Sequence, residues 1–235
     1  MLTIDFNKLN IKSDDIILDI GCGEGRHIVK ACQQKNTLCV GADFEFKNLL
    51  ATKKKIQFHK THNDFFCKTL LLVCMDITNL PFKDNSFDII ICSEVLEHIK
   101  NDTKAIEELI RILKPDKTIA LSVPRFLPEK ICWLLSKEYS NSEHVRIYKK
   151  KQIIIKIKNL GTRFLRSHHA HSFHSLYWWL KCFKGINNKD SKLISLYHKF
   201  LVWDIMKKIK IISLLDKLLN PFFGKSLVLY FRKKR

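Results

Sequence analysis

Residues 16–25 read Ile-Ile-Leu-Asp-Ile-Gly-Cys-Gly-Glu-Gly, and this stretch decides the fold. Its apolar, β-branched opening predicts a buried strand, and residues 26–34 predict a helix. Between the two, Gly21, Gly23 and Gly25 permit positive φ angles and let a ligand approach the main chain closely. A strand, a glycine turn and a helix in this order are typical of a nucleotide-binding element.

The spacing of the glycines separates this loop from that of dinucleotide-binding proteins. Those proteins carry G-x-G-x-x-G, where a pyrophosphate lies at the helix N-terminus. This chain carries G-x-G-x-G instead, with Asp19 two residues before the first glycine. A carboxylate so close to the ligand favours a ligand with a cationic part over a pyrophosphate. A dehydrogenase is therefore the less favoured alternative.

The loop resembles motif I of the class I S-adenosylmethionine-dependent methyltransferases, and later landmarks resemble their type 11 group. In chain order, these landmarks are Leu80-Pro81-Phe82, Ser86-Phe87-Asp88, Val95-Leu96-Glu97-His98 and Leu113-Lys114-Pro115. The resemblance covers residues 5–124 and returns near 144–161 and 225–233. It implies an α/β fold with a doubly wound, seven-stranded, mostly parallel sheet of the Rossmann-like kind and helical insertions on the acceptor side.

The chain is expected to form a single methyltransferase domain over residues 1–235. Residues 1–124 would be the cofactor-binding core, 125–224 the acceptor-side elements and an insertion, and 225–235 the last strand and a basic tail. After the strand that opens the glycine motif, further strands are predicted at 37–42, 70–74, 87–92, 118–123 and 162–166. The resemblance implies that the seventh strand is antiparallel and pairs beside the sixth, with residues 172–224 inserted between them.

The resemblance also implies S-adenosyl-L-methionine as the cofactor and assigns residues to it. Asp43 ends the second strand, where an acid accepts hydrogen bonds from ribose hydroxyls. Asp76 follows the third strand and is expected near the adenine amino group, although aspartate at such a place also caps turns. The expected cofactor-binding set is Asp19, Gly21, Cys22, Gly23, Gly25, Asp43, Asp76, Ile77 and Ser93.

Candidate catalytic residues follow strands four and six. Glu94, Glu97 and His98 form an E-x-x-E-H pattern that is linked to a divalent cation in the ubiquinone-pathway O-methyltransferases it resembles, yet the wider group carries E-H here without metal. After strand six, His169 belongs to a histidine cluster at 168–174, whose members do not share one face of an extended chain. We expect His98, Glu97 and His169 to be catalytic, and we expect no metal site.

Composition leaves the partners open. The net charge is +19, and the excess of lysine and arginine is greatest after residue 124. Such a balance is typical of nucleic-acid or membrane-surface proteins, but biased amino-acid usage also produces it. Residues 191–219 predict an amphipathic basic helix which, with Tyr177-Trp178-Trp179, has the character of an interfacial surface. Peripheral binding to a membrane is therefore one hypothesis.

Cysteine usage and hydropathy predict a cytoplasmic location, with attachment to the inner face of the membrane as an open alternative. The eight cysteines include no C-x-x-C pair and are interpreted as small buried side chains in a reducing compartment. No stretch reaches 18 apolar residues, and no pattern typical of a signal peptide is present.

The most favoured function is methyl transfer to a small molecule, most simply O- or C-methylation of a lipid-linked, isoprenoid or sugar acceptor. An RNA methyltransferase is the first alternative; the basic charge supports it, but the chain has no N-P-P-Y-type tetrapeptide. The second is a non-catalytic cofactor-binding protein in a membrane-associated complex, which an intact glycine loop disfavours. The sequence leaves the acceptor and the oligomeric state open.

Overall fold

The computed structural model describes residues 2–34, 36–140, 144–188, 191–207 and 209–235. Within these ranges, seven strands form one sheet. The strands are β1 (Ile16–Ile20), β2 (Leu38–Asp43), β3 (Thr69–Cys74), β4 (Phe87–Ser93), β5 (Leu113–Pro124), β6 (Thr162–Ala170) and β7 (Ser226–Lys233).

The α-helices of the same ranges all lie between these strands in sequence. They are α1 (Arg26–Cys32), α2 (Phe46–Thr61), α3 (Asp102–Ile112), α4 (Phe126–Leu135), α5 (Lys137–Ser140), α6 (Lys150–Asn159), α7 (Ser172–Lys184), α8 (Lys192–Lys207) and α9 (Lys210–Phe223). Single 3₁₀ turns lie at Phe6–Lys8 and Leu96–His98. None of the described helices combines the length and the apolar character that crossing a bilayer requires.

The order of the strands across the sheet is β3-β2-β1-β4-β5-β7-β6. Strands β1 to β5 pair in parallel, and β7 is antiparallel to both of its neighbours, β5 and β6. The predicted doubly wound, seven-stranded and mostly parallel fold is therefore confirmed. Helices α7, α8 and α9 occupy the predicted insertion between the last two strands.

Apolar clusters cover both faces of the sheet, which explains the continuous apolar runs of its central strands. Ile90 and Leu229 belong to the cluster on one face, and Ile91 and Val228 belong to the cluster on the other. All residues of β4 are buried. A central strand of this kind fixes the carboxyl edge of the sheet, where the loops after β1, β2 and β4 meet.

Three predicted segments differ from the observed ones by more than two residues or in their continuity. Strand β5 begins at Leu113 because its early residues still pair with β4, across a shift in register after Phe87. Strand β6 extends to Ala170 because its last residues pair with the start of β7. The helix predicted at 191–219 is divided into α8 and α9, since Ile209 has an extended backbone.

Candidate cofactor and acceptor site

The three glycines of the loop after β1 all have positive φ, but they face different surroundings. A Cβ at Gly21 would lie 2.2 Å from Val95 Cγ2, and one at Gly25 would lie 2.8 Å from Thr52 Oγ1. A Cβ at Gly23 would meet no atom within 4 Å. The outer glycines therefore serve close packing, whereas the middle one borders open space that a ligand can enter.

Asp43 holds this loop in place from the end of β2. Its Oδ2 accepts a hydrogen bond from the Gly23 N–H at 2.7 Å. Its Oδ1 accepts from the Glu45 N–H at 2.9 Å and from the Asn48 amide at 3.0 Å. From α2, the Thr52 hydroxyl donates to the Gly23 carbonyl at 2.7 Å. A carboxylate has about four acceptor positions, so Asp43 keeps capacity for a further donor such as a ribose hydroxyl.

Asp19, in β1, is a buried carboxylate with an oxygen left over. Its side chain is almost inaccessible, with the residue 1 % exposed, and its Oδ2 has no hydrogen-bond partner among the described residues. Burial raises the pKa of Asp19 to about 8, although the Ile28 N–H and the Arg26 charge act in the opposite direction. Asp19 can therefore stabilise a cationic group of a ligand. When no such ligand is bound, its carboxyl group tends to hold a proton.

The other expected cofactor residues occupy the same edge in different ways. Asp76 lies just after β3, where its Oδ1 accepts from both the N–H and the hydroxyl of Thr78 at 2.8 Å, so the turn-capping interpretation holds. The side chain of Ile77 is buried in the core, which leaves only its backbone for a ligand. The Ser93 and Ser122 hydroxyls are 2.8 Å apart, and Cys22 is buried.

Glu97 is the most unusual side chain after β4. The residue is fully buried, and neither carboxylate oxygen has a hydrogen-bond partner in the described part of the chain. Burial first, and then the nearby charges of Glu94 and Glu129, raise the pKa of Glu97 well above its usual range. A raised pKa favours the protonated form of the carboxyl group, which can donate a hydrogen bond.

His144 joins Glu97 and His98 from a distant part of the chain. The rings of His98 and His144 lie edge to face at 4.8 Å, and one possible ligand atom from each of the three residues lies within 4.8 Å of the others. Glu129 Oε1 lies 2.6 Å from His144 Nδ1, and the Tyr139 hydroxyl donates to Glu129 Oε2 at 3.2 Å. A carboxylate on one ring nitrogen fixes the orientation of an imidazole and leaves the other nitrogen to act.

Backbone and side-chain contacts hold His144 there, which the sequence did not indicate. The Val145 N–H donates to the Glu97 carbonyl at 2.9 Å. Arg146 donates to the Ile99 carbonyl at 2.7 Å, and the Tyr148 hydroxyl donates to the Leu96 carbonyl at 3.2 Å. The segment after residue 143 is thus clamped onto the turn that carries His98.

His169 lies elsewhere on the same edge. It belongs to β6, which β7 and β5 separate from β4, so it lies about 14 Å across the sheet from the end of β4. Burial, with the charges of Arg125 and Lys150, lowers the pKa of His169 to about 4. Its neighbour His168 stacks on Tyr230. The structure therefore brings Glu97 and His98 together, but it does not bring His169 to them.

A cavity of about 390 Å³ opens beside His144. Its walls combine aromatic and apolar side chains with polar ones, and they consist of Glu138, Tyr139, His144, Trp178, Ile186, Asn187 and Lys225. Lys225 Nζ lies 4.8 Å from the centre of the Trp178 ring, a cation–π distance. The cavity can hold an apolar molecule with one polar group directed at His144.

Comparisons with known proteins give a consistent picture. Residues 18–121 match the family model of the type 11 methyltransferase domain. An uncharacterised protein of Methanocaldococcus jannaschii is 34% identical over 113 residues, which are 48% of this chain and 42% of that protein. A demethylmenaquinone methyltransferase of Lactobacillus johnsonii is 30% identical over 118 residues, which are 49% of this chain and 46% of that protein. The chain thus spans less than half the length of these curated relatives.

Solved structures extend the likeness to the whole fold. The crystal structure of a protein from Methanosarcina mazei, described as a SAM-dependent methyltransferase, superposes with a TM-score of 0.66 and covers 99% of both chains at 14% identity. The YcgJ protein of Bacillus subtilis superposes with a TM-score of 0.63, covering 97% of this chain and 95% of that one at 17% identity.

Replacing Asp19 with asparagine should stabilise the free protein, and more so at higher pH. The pKa of Asp19 is about 8 in the folded state and about 4 in the unfolded state. Between these pH values, the folded chain therefore binds one more proton than the unfolded chain. Stability therefore falls as pH rises through this window for aspartate but not for asparagine. Thermal unfolding should show a larger gain for Asp19→Asn at about pH 8 than at about pH 5.

Asp84→Asn is the matched control, since Asp84 is 70 % exposed and pairs with Arg111 at the surface. It should show no gain that grows with pH. An Asp19→Asn variant that is less stable than the parent at both pH values would mean that the buried carboxylate has a partner in the folded chain.

Proposed function

We propose that this chain transfers a methyl group from S-adenosylmethionine to a small molecule, and the match of residues 18–121 to the type 11 methyltransferase domain family supports this. The observation that carries the proposal is the open space beside Gly23, whose N–H donates to the Asp43 carboxylate, and it is supported by the Asp19 oxygen that has no partner among the described residues. S-adenosylmethionine is the cofactor of this family.

The residues around that space suit the separate parts of the cofactor. Asp19 would pair with the ammonium group of the methionine part, which would favour its ionised form. Asp43 would accept from a ribose hydroxyl through its spare acceptor position, and Asp76 has a second oxygen for the adenine amino group. The positive φ angles of the loop glycines, which lack a side chain, permit close approach of a ligand to the main chain.

The chemistry requires an aligned acceptor and, for an oxygen acceptor, a base. The sulfonium carbon is already a strong electrophile, so holding the acceptor in line with the methyl–sulfur bond supplies much of the rate. When bound, S-adenosylmethionine would supply the methyl group to the acceptor oxygen, with the electron pair of the broken carbon–sulfur bond left on sulfur. The hydroxyl proton passes to a histidine, for which His98 and His144 are the candidates.

A lipid-linked acceptor of the isoprenoid class fits this chain best. The cavity beside His144 has aromatic walls, and Ile186 and Trp178 offer contacts for an apolar chain. The name of the Lactobacillus johnsonii relative, demethylmenaquinone methyltransferase, supports an acceptor of this class. Incubating the protein with methyl-labelled cofactor and either a lipid extract or total RNA, followed by mass spectrometry, tests it. A labelled lipid is expected, and label found only in RNA would favour the RNA alternative.

Helices α8 and α9 offer a surface for access to such an acceptor. No described residue of α9 is buried, and large apolar side chains there remain exposed, including Ile211 at 70 %, Leu218 at 61 % and Phe222 at 67 %. Met206 at the end of α8 is 76 % exposed. Lysines such as Lys210 and Lys217 accompany them. An apolar face with lysines beside it is typical of peripheral binding to an anionic membrane.

The assignment of the base gives a testable expectation. His98→Gln and His144→Gln should each lower turnover of the labelled acceptor by about a hundredfold, because proton removal slows, while cofactor affinity stays nearly unchanged. Turnover and calorimetric cofactor binding should be measured on the same preparations. His169→Gln is the comparison variant, and its distance from β4 gives an expectation of near wild-type turnover.

Two results would contradict this assignment. Wild-type turnover in both His98→Gln and His144→Gln would mean that alignment alone carries the chemistry. A large loss confined to His169→Gln would move the acceptor site to the end of β6.

The membrane surface gives a further expectation. The chain should co-sediment with anionic vesicles at low salt and be released as salt screens the lysines. Leu214→Glu combined with Leu218→Glu should reduce binding at least tenfold, because both exposed side chains would lose their apolar contact. Phe58→Glu on α2 is the matched control, as Phe58 is 59 % exposed away from this surface. Equal recovery with neutral and anionic vesicles would refute peripheral binding.

A further inference from the structure

Three cysteines that are distant in sequence converge at the edge of the sheet opposite the glycine loop. Cys32 is the last residue of α1, Cys39 is the second residue of β2, and Cys67 lies just before β3. Their sulfur atoms all lie within 4.8 Å of one another. The chain contains eight cysteines, and their spacing in sequence predicts no such cluster. We call these three residues the thiol cluster.

The thiol cluster lies between the buried core and the solvent. The Thr37 hydroxyl lies 3.5 Å from Cys39 Sγ. Cys32 and Cys39 are buried, whereas Cys67 is half-buried, so a reagent in solvent has a route to the cluster.

The backbone around the cluster is fixed without help from the sulfurs. The N–H groups of Phe66 and Cys67 both donate to the Cys32 carbonyl, at 2.8 and 2.9 Å. On the other side, the Lys68 N–H donates to the Thr37 carbonyl at 2.8 Å. The three sulfurs are therefore held together by the fold itself, and a ligand that joins them would not have to order the chain.

We propose that Cys32, Cys39 and Cys67 together bind one thiophilic d¹⁰ metal ion, with Zn²⁺ as the probe. Zn–S bonds of about 2.3 Å place three sulfurs about 3.8–4.0 Å apart, a spacing that separations of up to 4.8 Å reach by small side-chain rotations. Binding releases the thiol protons to solvent and forms three metal–sulfur bonds, with no change in oxidation state. Water completes a tetrahedral site on the exposed side of Cys67.

This site is separate from the cofactor site and departs from the expectation that the chain binds no metal. It joins α1, β2 and the loop before β3 at the amino ends of the strands, whereas the glycine loop lies at their carboxyl ends. A bound ion there would stabilise the folded state by mass action and leave the methyl-transfer site unchanged. The proposal therefore does not depend on the proposed activity.

The experiment compares the full-length reduced protein with two single variants. Cys67→Ser removes one ligand at a half-buried position, and Cys74→Ser removes an exposed cysteine outside the cluster. Competition against a chromogenic chelator should give one Zn²⁺ per wild-type chain, the same for Cys74→Ser, and at least a hundredfold weaker binding for Cys67→Ser. Zn²⁺ should raise the unfolding temperature of the wild type and of Cys74→Ser only.

Replacement of Zn²⁺ by Co²⁺ provides a second readout that needs no variant. The thiolate-to-metal charge-transfer absorption of the Co²⁺ protein scales with the number of cobalt–sulfur bonds. The wild type should therefore show the intensity expected for three such bonds. A parallel titration with Cu⁺ shows which ion the thiol cluster prefers. Tighter retention of Cu⁺ than of Zn²⁺ would assign a trigonal site to the same thiolates.

Several results would overturn the proposal. They are wild-type Zn²⁺ affinity in Cys67→Ser, loss of binding in Cys74→Ser, a Co²⁺ spectrum without thiolate bands, or wild-type protein that binds no ion of either kind. A disulfide within the cluster that forms under mild oxidant, in protein that takes up no metal, would assign these thiols to redox chemistry instead.

Discussion

The hydrogen bond from the Gly23 N–H to the Asp43 carboxylate joins the loop after β1 to the end of β2. It forms because β1 and β2 are parallel neighbours, with Asp19 opposite Gly41 in register, so both strands deliver their following loops to one edge. The Thr52 hydroxyl fixes the carbonyl of the same glycine. With both polar groups of Gly23 held, the open space beside it has a rigid wall, and a ligand binds there without paying to order the loop.

Around this wall the chain keeps two buried carboxyl groups that cost it stability. Among the described residues, one carboxylate oxygen of Asp19 has no hydrogen-bond partner, and neither carboxylate oxygen of Glu97 has one. Burying such groups is unfavourable unless a proton or a ligand compensates, and the raised pKa values express that cost. Asp19 lies in β1, and Glu97 lies just after the neighbouring strand β4. Buried groups with shifted pKa values are typical of functional sites.

Local signals were enough to predict most of the sheet, but not the residues that meet across it. The apolar run at β1 and the three glycines are contiguous, and each later strand carries its own pattern, so the order of strands follows from the resemblance. His144 and the thiol cluster depend on tertiary contacts between segments far apart in sequence, and no periodicity encodes them. The tail of β6 was missed because its histidines do not have the apolar character of a strand, although pairing with β7 makes it one.

Calorimetry with S-adenosylmethionine on Gly23→Ala and Gly161→Ala tests the central claim most directly. Both glycines have positive φ, and an added Cβ at either meets no atom within 4 Å, so each variant should lose about 1 kcal/mol of stability from backbone strain. Wild type and Gly161→Ala should bind the cofactor alike, whereas Gly23→Ala should bind at least tenfold more weakly because its methyl group occupies the ligand space. Unchanged binding by Gly23→Ala, or no binding by the wild type, would contradict the account.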